Sequence, residues 1–350
     1  MIISRTPFRI SFFGGGTDYP AWYLQHGGAV LATTIDKYCY LTCRYLPPFF
    51  EHRFRIVYSQ IENRQNLDEI RHPAVREGLR HVNLDRGVEI HHDGDLPARS
   101  GMGSSSAFTV GLLHALYALK GEMLGKDQLA NESIYIEQEQ LKEAVGSQDQ
   151  VLAAYGGLNH ISFFQNGKFS IVPITVRPER IQDLNSHLML FYTGVKRTAS
   201  DIARSYDLEG KQQQLCIMRD LVEKGILILN SESDITAFGE LLHEAWQVKR
   251  TLSPKVSNSR VDELYNRARS VGAIGGKLTG AGGGGFMLLF VPPDRQEKVK
   301  EAFSKLIHVP IRFESSGSQI IFFNPEESYA AEAQARATQP SQVFQELAHL

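Results

Sequence analysis

The chain has 350 residues, a length that favours two lobes over a single domain. Its 37 basic and 39 acidic side chains leave a formal net charge of -2, and no long run of lysine and arginine occurs. This balance argues against a nucleic-acid partner, although a local pocket for a small charged substrate is compatible with it. Apolar residues make up 42% of the chain, enough for a sizeable core without disulfides or metal ions.

The three cysteines, Cys39, Cys43 and Cys216, are odd in number and lack the spacing of a zinc site. We interpret them as free thiols in a reducing compartment. The first residues show no signal-peptide pattern, and no apolar stretch reaches the length of a membrane span. The sequence therefore predicts a cytoplasmic protein with no membrane partner, and it leaves the oligomeric state unknown.

The first half of the chain interleaves predicted strands and helices. Stretches rich in Val, Ile, Tyr, Phe and Thr predict strands at residues 2–12, 29–45, 53–59, 87–92, 158–164, 169–175 and 187–192. Apolar residues at helical spacing predict a helix after Gly103 and a second one from Asp127, a candidate N-cap, to Lys142. A third, short helix is predicted to start near Ser147.

The second half is richer in helix. The patterns predict helices at residues 209–230, 234–251, 257–270 and 294–306, and strands at residues 286–291, 308–314 and 318–323. The change in character predicts a linker at residues 178–185, and hence domains at residues 1–183 and 184–325 with a tail at 326–350. The mixed order of elements favours an α+β fold over a simple βαβα sheet.

The first segment with a chemical signal runs from Thr6 to Tyr19. A predicted strand leads there into Gly-Gly-Gly-Thr-Asp, and glycines let the backbone approach a ligand closely. Arg9 and Asp18 flank this bare stretch with opposite charges. A tight turn with two surface charges would explain the same residues, so the segment alone does not decide between the two interpretations.

The second segment, residues 101–106, reads Gly-Met-Gly-Ser-Ser-Ser and stands directly before the predicted helix. A helix N-terminus offers unpaired N–H groups to a phosphate, and a serine hydroxyl can bind Mg²⁺. An N-cap would account for one serine, but not for three with two glycines. The pattern therefore favours phosphate binding, and it lacks the spacing of a serine-hydrolase nucleophile.

The third segment contains Asp149, which lies in the first turn of a predicted helix because Ser147 and Gln150 have capping-box spacing. A carboxylate there would orient a substrate hydroxyl in a kinase, or it would only complement the helix dipole. Glu137 comes twelve residues earlier, on the preceding predicted helix. It is a candidate metal ligand or part of a solvated helix face.

The fourth segment, Gly275–Phe290, contains a glycine run at Gly280–Gly285 that matches G-x-G-x-x-G. The run leads into a predicted strand rather than into a helix, so it is not a dinucleotide-binding turn. The spacing around Lys277 also differs from that of a Walker A loop. So many glycines cost chain entropy, which favours a ligand-facing loop over a plain glycine-rich hairpin.

In this order, the four segments resemble those of the GHMP kinase superfamily, over most of residues 1–325. The resemblance implies a two-lobed GHMP kinase fold, with a ribosomal S5 domain 2-like N-terminal lobe and a ferredoxin-like C-terminal lobe. It also implies ATP and Mg²⁺ as cofactors. Asp149 would then be the catalytic base, and Arg9 would stabilise the phosphoryl group in transfer.

The resemblance implies the remaining site residues as well. Those that would bind the nucleotide phosphates are Gly101, Gly103, Ser104, Ser105, Ser106, Gly280 and Gly282. Those that would bind the substrate are Gly15, Gly16, Asp18, Lys196 and Arg197. Mg²⁺ would be held by Ser105 and Glu137. Galactokinases carry Glu-His where this chain has Gly15 and Gly16, which argues against galactose as the substrate.

Within the superfamily, the chain resembles D-glycero-D-manno-heptose 7-phosphate kinases in Arg5–Asp18, Val145–Gln150 and Phe191–Ala199. The resemblance implies phosphorylation of the anomeric hydroxyl of a sugar phosphate, with a 1,7-bisphosphate as product. Lys196 and Arg197 would grip the substrate phosphate, or they form an exposed basic turn. L-fucokinases, a catalytically silent sensor and a diphosphomevalonate-type decarboxylase are the alternatives.

Two further parts of the cleft are expected from position alone. Trp246 and Lys249 lie on one predicted helix and would wall the same cleft, although core packing also explains Trp246. Aromatic residues between Tyr38 and Tyr58 are candidates for the adenine pocket.

Overall fold

The computed structural model describes residues 1–98, 100–195, 202, 205–206, 210–324, 329, 331–332 and 334–335. The predicted phosphate clamp, Lys196 and Arg197, therefore lies outside the described residues, as does most of the predicted tail. Within the described ranges no helix combines the length and apolarity that crossing a membrane requires.

The larger of two sheets is built around two long antiparallel strands. Its strands in the described chain are β1 (Ile2–Phe13), β2 (Gly28–Tyr45), β3 (Phe54–Val57), β4 (Ile61–Arg64), β5 (Val88–Gly94), β6 (Leu158–Phe163), β7 (Phe169–Pro173), β12 (Phe313–Glu314) and β13 (Gln319–Phe323). The main order is β13-β1-β2-β5-β3-β4, while β6 and β12 pair with the first part of β2. Only β3 and β5 pair in parallel among these ladders of described residues.

The smaller sheet is antiparallel throughout. Its described strands are β8 (Leu188–Tyr192), β9 (Gly275–Leu278), β10 (Phe286–Phe290) and β11 (Ile307–Val309), in the order β11-β8-β10-β9. Every residue of β9 and β10 is buried, which fits strands in the interior of the protein. The glycine run between these two strands is thus a connection inside a hairpin.

Helices pack on both sheets. The α-helices with described bounds are α1 (Pro20–His26), α2 (Pro73–His81), α3 (Ser104–Leu119), α4 (Lys126–Tyr135), α5 (Gln148–Tyr155), α6 (Pro178–Ser186), α7 (Gln212–Asn230), α8 (Thr236–Arg250), α9 (Ser259–Ser270) and α10 (Gln296–Ala302). A π-helical turn, Ile136–Gln140, continues α4. Helix α3 is mostly buried and lies on β1 and β2. A Cβ on Gly111 would come within 2.7 Å of Thr6 Oγ1, so this glycine allows α3 to approach β1.

The two sheets share one apolar core near the end of β1. The ring of Phe238, from α8, lies 5.3 Å from that of Phe12 and 5.0 Å from that of Phe13 in edge-to-face contacts. All three side chains are fully buried. The end of β1, which carries the first candidate segment, is thereby fixed against the helices of the second half.

Most predicted elements are present, but three helices were missed. Helices α1, α2 and α6 each begin with a proline, at Pro20, Pro73 and Pro178. Proline is favoured in the first turn of a helix because its missing N–H has no partner there anyway. Residues 178–186 therefore form α6, so the segment predicted as a linker, residues 178–185, is helical.

One predicted cap and one predicted capping box also differ from the structure. The N-cap of α4 is Gly125, and Asp127 lies in the first turn instead. Ser147 caps α5 without a side-chain hydrogen bond. The Ser147 hydroxyl accepts from Gln138 Nε2 at 3.0 Å, and Gln150 Nε2 donates to Glu137. Both side chains of the expected capping box are therefore hydrogen-bonded to the π-helical turn that continues α4.

The end of the described chain returns to the first sheet. Strand β12 pairs with β2, and β13 pairs with β1 beside the N-terminus. Residues 313–323 thus belong to the larger sheet, although they lie within the predicted second domain, 184–325. The division at residues 183 and 184 stays a prediction for the remainder of that segment.

Candidate active site

A cleft of about 830 Å³ brings the predicted segments together. The predicted site residues that line it are Arg9, Gly15, Gly16, Asp18, Gly101, Gly103, Ser104, Ser105, Ser106, Asp149 and Gly280. Two others are placed differently. Glu137 is fully buried behind the cleft, and Gly282 lies against Val256, where a Cβ would be 2.6 Å from the carbonyl oxygen.

The phosphate-loop wall, residues 101–106, combines left-handed glycines with the start of α3. Gly101 has φ +82° and Gly103 has φ +74°, conformations that favour glycine. A Cβ on Gly101 would lie 2.6 Å from the Thr279 carbonyl oxygen, so this wall and the glycine run before β10 touch through their backbones. The first turn of α3 opens on the cleft, where its N–H groups suit a phosphate.

Arg9 and Asp149 form a two-pronged ion pair directly beside this wall. Arg9 Nε donates to Asp149 Oδ1 at 2.6 Å, and Nη2 donates to Oδ2 at 2.7 Å. Arg9 Nη1 also donates to the Gly101 carbonyl oxygen at 2.7 Å. A Cβ on Gly103 would lie 3.4 Å from Asp149 Oδ2, so the carboxylate directly faces the start of α3. Arg9 thus fixes a carboxylate beside the place where a phosphate would lie.

Glu137 is not on a solvated helix face, because its side chain is fully buried. Its Oε2 accepts from Ser106 Oγ at 2.9 Å and from Gln150 Nε2 at 2.5 Å. Burial raises the pKa of Glu137 to about 7, while the nearby hydroxyls of Thr109 and Ser106 lower this pKa. Glu137 therefore belongs to a buried network under the first turn of α3.

These residues fit a magnesium ion. Glu137 Oε1 is buried and has no hydrogen-bond partner among the described residues, and Mg²⁺ takes oxygen ligands of this kind. Ser105 is exposed at the cleft, whereas Ser106 is the serine bonded to Glu137. No group of three or more His, Cys, Asp and Glu side chains in the described ranges is arranged to hold a metal.

Asp18 joins the first and third segments. Its Oδ1 accepts from the Gly16 amide at 2.9 Å, and its Oδ2 accepts from Gln148 Nε2 at 2.8 Å. Burial raises the pKa of Asp18, and its hydrogen bonds with Gly16 and Gln148 oppose this effect. A Cβ on Gly146 would lie 1.9 Å from Asp18 Oδ2, so only glycine leaves room for the carboxylate there.

Two lysines lie at the base of the cleft. Lys249 donates to the Gly280 carbonyl oxygen, and burial lowers its pKa to about 8, with a further decrease from Arg9. Lys277 Nζ donates to the carbonyl oxygens of Ser11 and Phe12, both at 2.9 Å, and burial holds its pKa well below the usual value. Lys249 lines the cleft as expected.

Trp246 does not line the cleft, because it is fully buried and packs near Tyr265 in the core. Sequence reasoning missed Lys277 as a cleft residue. The available signal was a single charged residue in a short strand whose other residues are glycine and leucine.

An aromatic wall closes the opposite end of the cleft. Phe108 stacks on the ring of His72 at 4.7 Å and meets His92 edge-on at 5.1 Å. Burial lowers the pKa of His72 to about 4 and also lowers that of His92, which favours neutral imidazoles. Tyr58 lines this end, whereas Tyr38 lies outside the cleft lining and donates to Glu314. Flat, uncharged rings suit stacking on a nucleobase.

Comparison with known proteins identifies the family. The sequence model of the GHMP kinases N-terminal domain matches residues 70–157, and that of the GHMP kinases C-terminal domain matches residues 220–308. A D-glycero-alpha-D-manno-heptose 7-phosphate kinase from Campylobacter jejuni is 28% identical over 316 residues, which cover 87% of this chain and 93% of that protein. A bifunctional fucokinase/GDP-fucose pyrophosphorylase from Arabidopsis thaliana is 24% identical over 86% of this chain, but over only 30% of its own length.

Solved structures share the fold. A D-glycero-D-manno-heptose 1-phosphate kinase from Bacteroides thetaiotaomicron superposes with a TM-score of 0.77 at 23% identity, covering 93% of this chain and all of that one. The galactokinase of Lactococcus lactis, in complex with galactose, gives a TM-score of 0.68 at 18% identity, covering 91% and 94%. With both domain models matched in order and the fold shared over nine tenths of its length, the chain belongs to the GHMP kinases.

Proposed function

We propose that this GHMP kinase transfers the γ-phosphoryl group of ATP to the anomeric hydroxyl of a heptose 7-phosphate, giving a 1,7-bisphosphate. The observation that carries the proposal is the position of Asp149, held by two hydrogen bonds from Arg9 directly beside Gly103 at the start of α3. A base and a phosphate-binding helix start at this separation bring a nucleophile and a phosphoryl group into contact.

The chain's own residues would do three things. Asp149 orients the sugar hydroxyl and accepts its proton as the new bond to phosphorus forms. Arg9 holds Asp149 in place and adds positive charge between it and the phosphate-loop wall, rather than binding the phosphoryl group alone. Mg²⁺, when held by Glu137, Ser105 and phosphate oxygens, would supply further charge neutralisation. The neutral rings at the Phe108 end would take the adenine.

The sugar phosphate is the finer part of the proposal. It is supported by the name of the Campylobacter relative, which is similar along nearly its whole length. The proposed grip on the substrate phosphate by Lys196 and Arg197 lies outside the described residues. An L-fucokinase-like activity is the second candidate, because the plant fucokinase relative is similar over 86% of this chain.

The test is Mg²⁺-dependent release of ADP from ATP by the purified protein. We would compare D-glycero-D-manno-heptose 7-phosphate with the unphosphorylated heptose, L-fucose and galactose. The proposal expects turnover with the 7-phosphate and little with the other sugars. Preference for L-fucose would support phosphoryl transfer to a sugar, and it would contradict the proposed binding of a substrate phosphate by Lys196 and Arg197. ATP binding without turnover on any sugar would favour a silent sensor. A parallel assay with diphosphomevalonate, which carries a carboxylate, would identify a decarboxylase by release of carbon dioxide with free phosphate and ADP.

A further inference from the structure

The cleft contains two buried polar atoms that lack a partner. Ser11 Oγ and Gln148 Oε1 make no hydrogen bond within the described part of the chain. Their residues are only 6% and 7% exposed, and both line the cleft. Because an unsatisfied buried polar atom costs free energy, two of them facing one cleft indicate a ligand that completes their hydrogen bonds.

The side chains of Ser11 and Gln148 border the same small space beside Gly15. A Cβ on Gly15 would have Ser11 Oγ at 3.5 Å and Gln148 Nε2 at 3.8 Å as its nearest neighbours. Gln148 Nε2 donates to Asp18 Oδ2, which fixes the amide with Oε1 as a free acceptor. Ser11, Gln148 and Asp18 therefore surround one space at the floor of the cleft.

The chemistry of this space suits hydroxyl groups. Gln148 Oε1 needs a donor, and the Ser11 hydroxyl can donate or accept. The Asp18 carboxylate accepts from the Gly16 amide and from Gln148, and its oxygens carry further lone pairs. A phosphate oxygen only accepts, so it would leave Gln148 unsatisfied and would lie against a carboxylate. A sugar hydroxyl both donates and accepts, so two or more neighbouring hydroxyls together can satisfy these atoms.

The lysines near this space do not convert it into an anion site. Lys277 uses two protons of its ammonium group on the carbonyl oxygens of Ser11 and Phe12, which fixes the end of β1 behind the space. Lys249 donates to the Gly280 carbonyl oxygen. Both lysines are thus bonded to backbone carbonyl oxygens, and Ser11, Gln148 and Asp18 are the side chains that border the space.

We propose that Ser11 and Gln148, together with Asp18, form a hydroxyl-binding subsite that recognises neighbouring hydroxyl groups of a polyhydroxylated substrate. This inference rests on the proposed kinase function, since Gln148 directly precedes Asp149 on α5. The hydroxyls that are recognised then belong to sugar carbons close to the one that is phosphorylated. Ser11 and Gln148 are specificity-determining residues, and the substrate's own phosphate binds elsewhere in the cleft.

The experiment measures binding, so that it does not depend on turnover. Calorimetric titration of D-glycero-D-manno-heptose 7-phosphate into the protein would compare wild type, Ser11→Ala and Gly15→Ala. Ser11→Ala should raise the Kd about tenfold, the loss of one hydrogen bond to the ligand. Gly15→Ala meets no clash, but its methyl group fills the subsite, so we expect a loss of about 100-fold or more. The Kd for ATP should not change in either variant.

Ser4→Ala is the matched control. Ser4 is a buried serine on the same strand, and its hydroxyl donates to the Gly111 carbonyl oxygen at 2.8 Å, away from the cleft. It should leave the Kd of the sugar phosphate unchanged. Single-deoxy analogues add a readout that a structural role would not alter: the analogue lacking the hydroxyl bound by Ser11 should bind wild type about tenfold more weakly and be insensitive to Ser11→Ala.

The outcomes separate the two proposals. Binding that responds to Ser11 and Gly15 without any ADP release would support the subsite and overturn the kinase function. Turnover with unchanged sugar binding in Ser11→Ala and Gly15→Ala would overturn the subsite and leave the kinase function intact. Absence of binding by the heptose phosphate, the free heptose, L-fucose and galactose at millimolar concentration would overturn the subsite as well.

Discussion

The phosphate-loop wall and the floor of the same cleft present different chemical groups to a ligand. Residues 101–106 present glycine, serine and backbone N–H groups, and left-handed glycines let them touch the glycine run before β10. The floor presents buried side chains with charges and amides, namely Asp18, Gln148, Lys249 and Lys277. Backbone groups recognise a phosphate whatever carries it, whereas side chains can distinguish one substrate from another. Changes at the wall should therefore affect ATP and Mg²⁺, and changes at the floor should affect the sugar and the stability.

The largest expected effect is on kcat, from a change at Asp149, which lies between the wall and the floor. Asp149→Asn keeps the shape of the side chain and one acceptor for Arg9, but it removes the base that accepts the hydroxyl proton. We expect kcat to fall by about 10²–10⁴-fold while the Kd for ATP stays near that of wild type. Steady-state kinetics and ATP titration measure the two quantities.

Asp127→Asn tests the simpler explanation of Asp149. Asp127 also lies in the first turn of a helix, α4, but it is exposed and does not line the cleft. If Asp149 only complemented the helix dipole, both variants would keep normal turnover. A large decrease in kcat in Asp149→Asn alone would exclude that explanation.

The burial of Lys249 at the floor should affect how the free energy of unfolding depends on pH. The pKa of Lys249 is about 8 in the folded protein against an ordinary value of 10.5. Below pH 8 the lysine is charged in both states, and the cost of burying that charge is present in full. Between these pKa values the unfolded chain binds more protons, so the free energy of unfolding rises with pH.

Lys249→Met should lack this rise, because its side chain does not titrate. The difference in the free energy of unfolding between wild type and Lys249→Met should change by up to about 3 kcal/mol between pH 7 and pH 10.5. Urea unfolding at the two pH values measures it. Parallel pH profiles for the two proteins would show that Lys249 is solvated rather than buried at the floor, and the contrast between wall and floor would weaken.

The long elements of the fold could be predicted from the sequence. The strand predicted at residues 29–45 is Gly28–Tyr45, and the helix predicted after Gly103 begins at Ser104, because both have strong, uninterrupted patterns. The short helices that begin at prolines were not predicted, and one of them lies in the segment interpreted as a linker, residues 178–185. Their apolar faces are too short for a periodic pattern to stand out.

The candidate site divides in the same way. Gly101, Gly103 and Asp149 belong to local motifs, and the structure brings them together. Ser11 lies in an apolar strand and has no local signal of function, and the only local signal for Lys277 is a single charge in a glycine-rich strand. Ser11 and Lys277 reach the cleft only because β1 packs against β9 and α5. Sequence periodicity does not show which elements pack together.

The smallest effects should separate two adjacent serines of the wall. Ser106 is buried and donates to Glu137, so Ser106→Ala should lower the free energy of unfolding by about 1–3 kcal/mol. Ser105 is exposed at the cleft, so Ser105→Ala should stay within about 0.5 kcal/mol of wild type. If Ser105 holds Mg²⁺, its variant should need about tenfold more Mg²⁺ for half-maximal turnover. Thermal unfolding and Mg²⁺ titrations of both variants decide the assignment. If the Mg²⁺ concentration for half-maximal turnover rises in Ser106→Ala but not in Ser105→Ala, the metal ligand is Ser106, the serine bonded to Glu137.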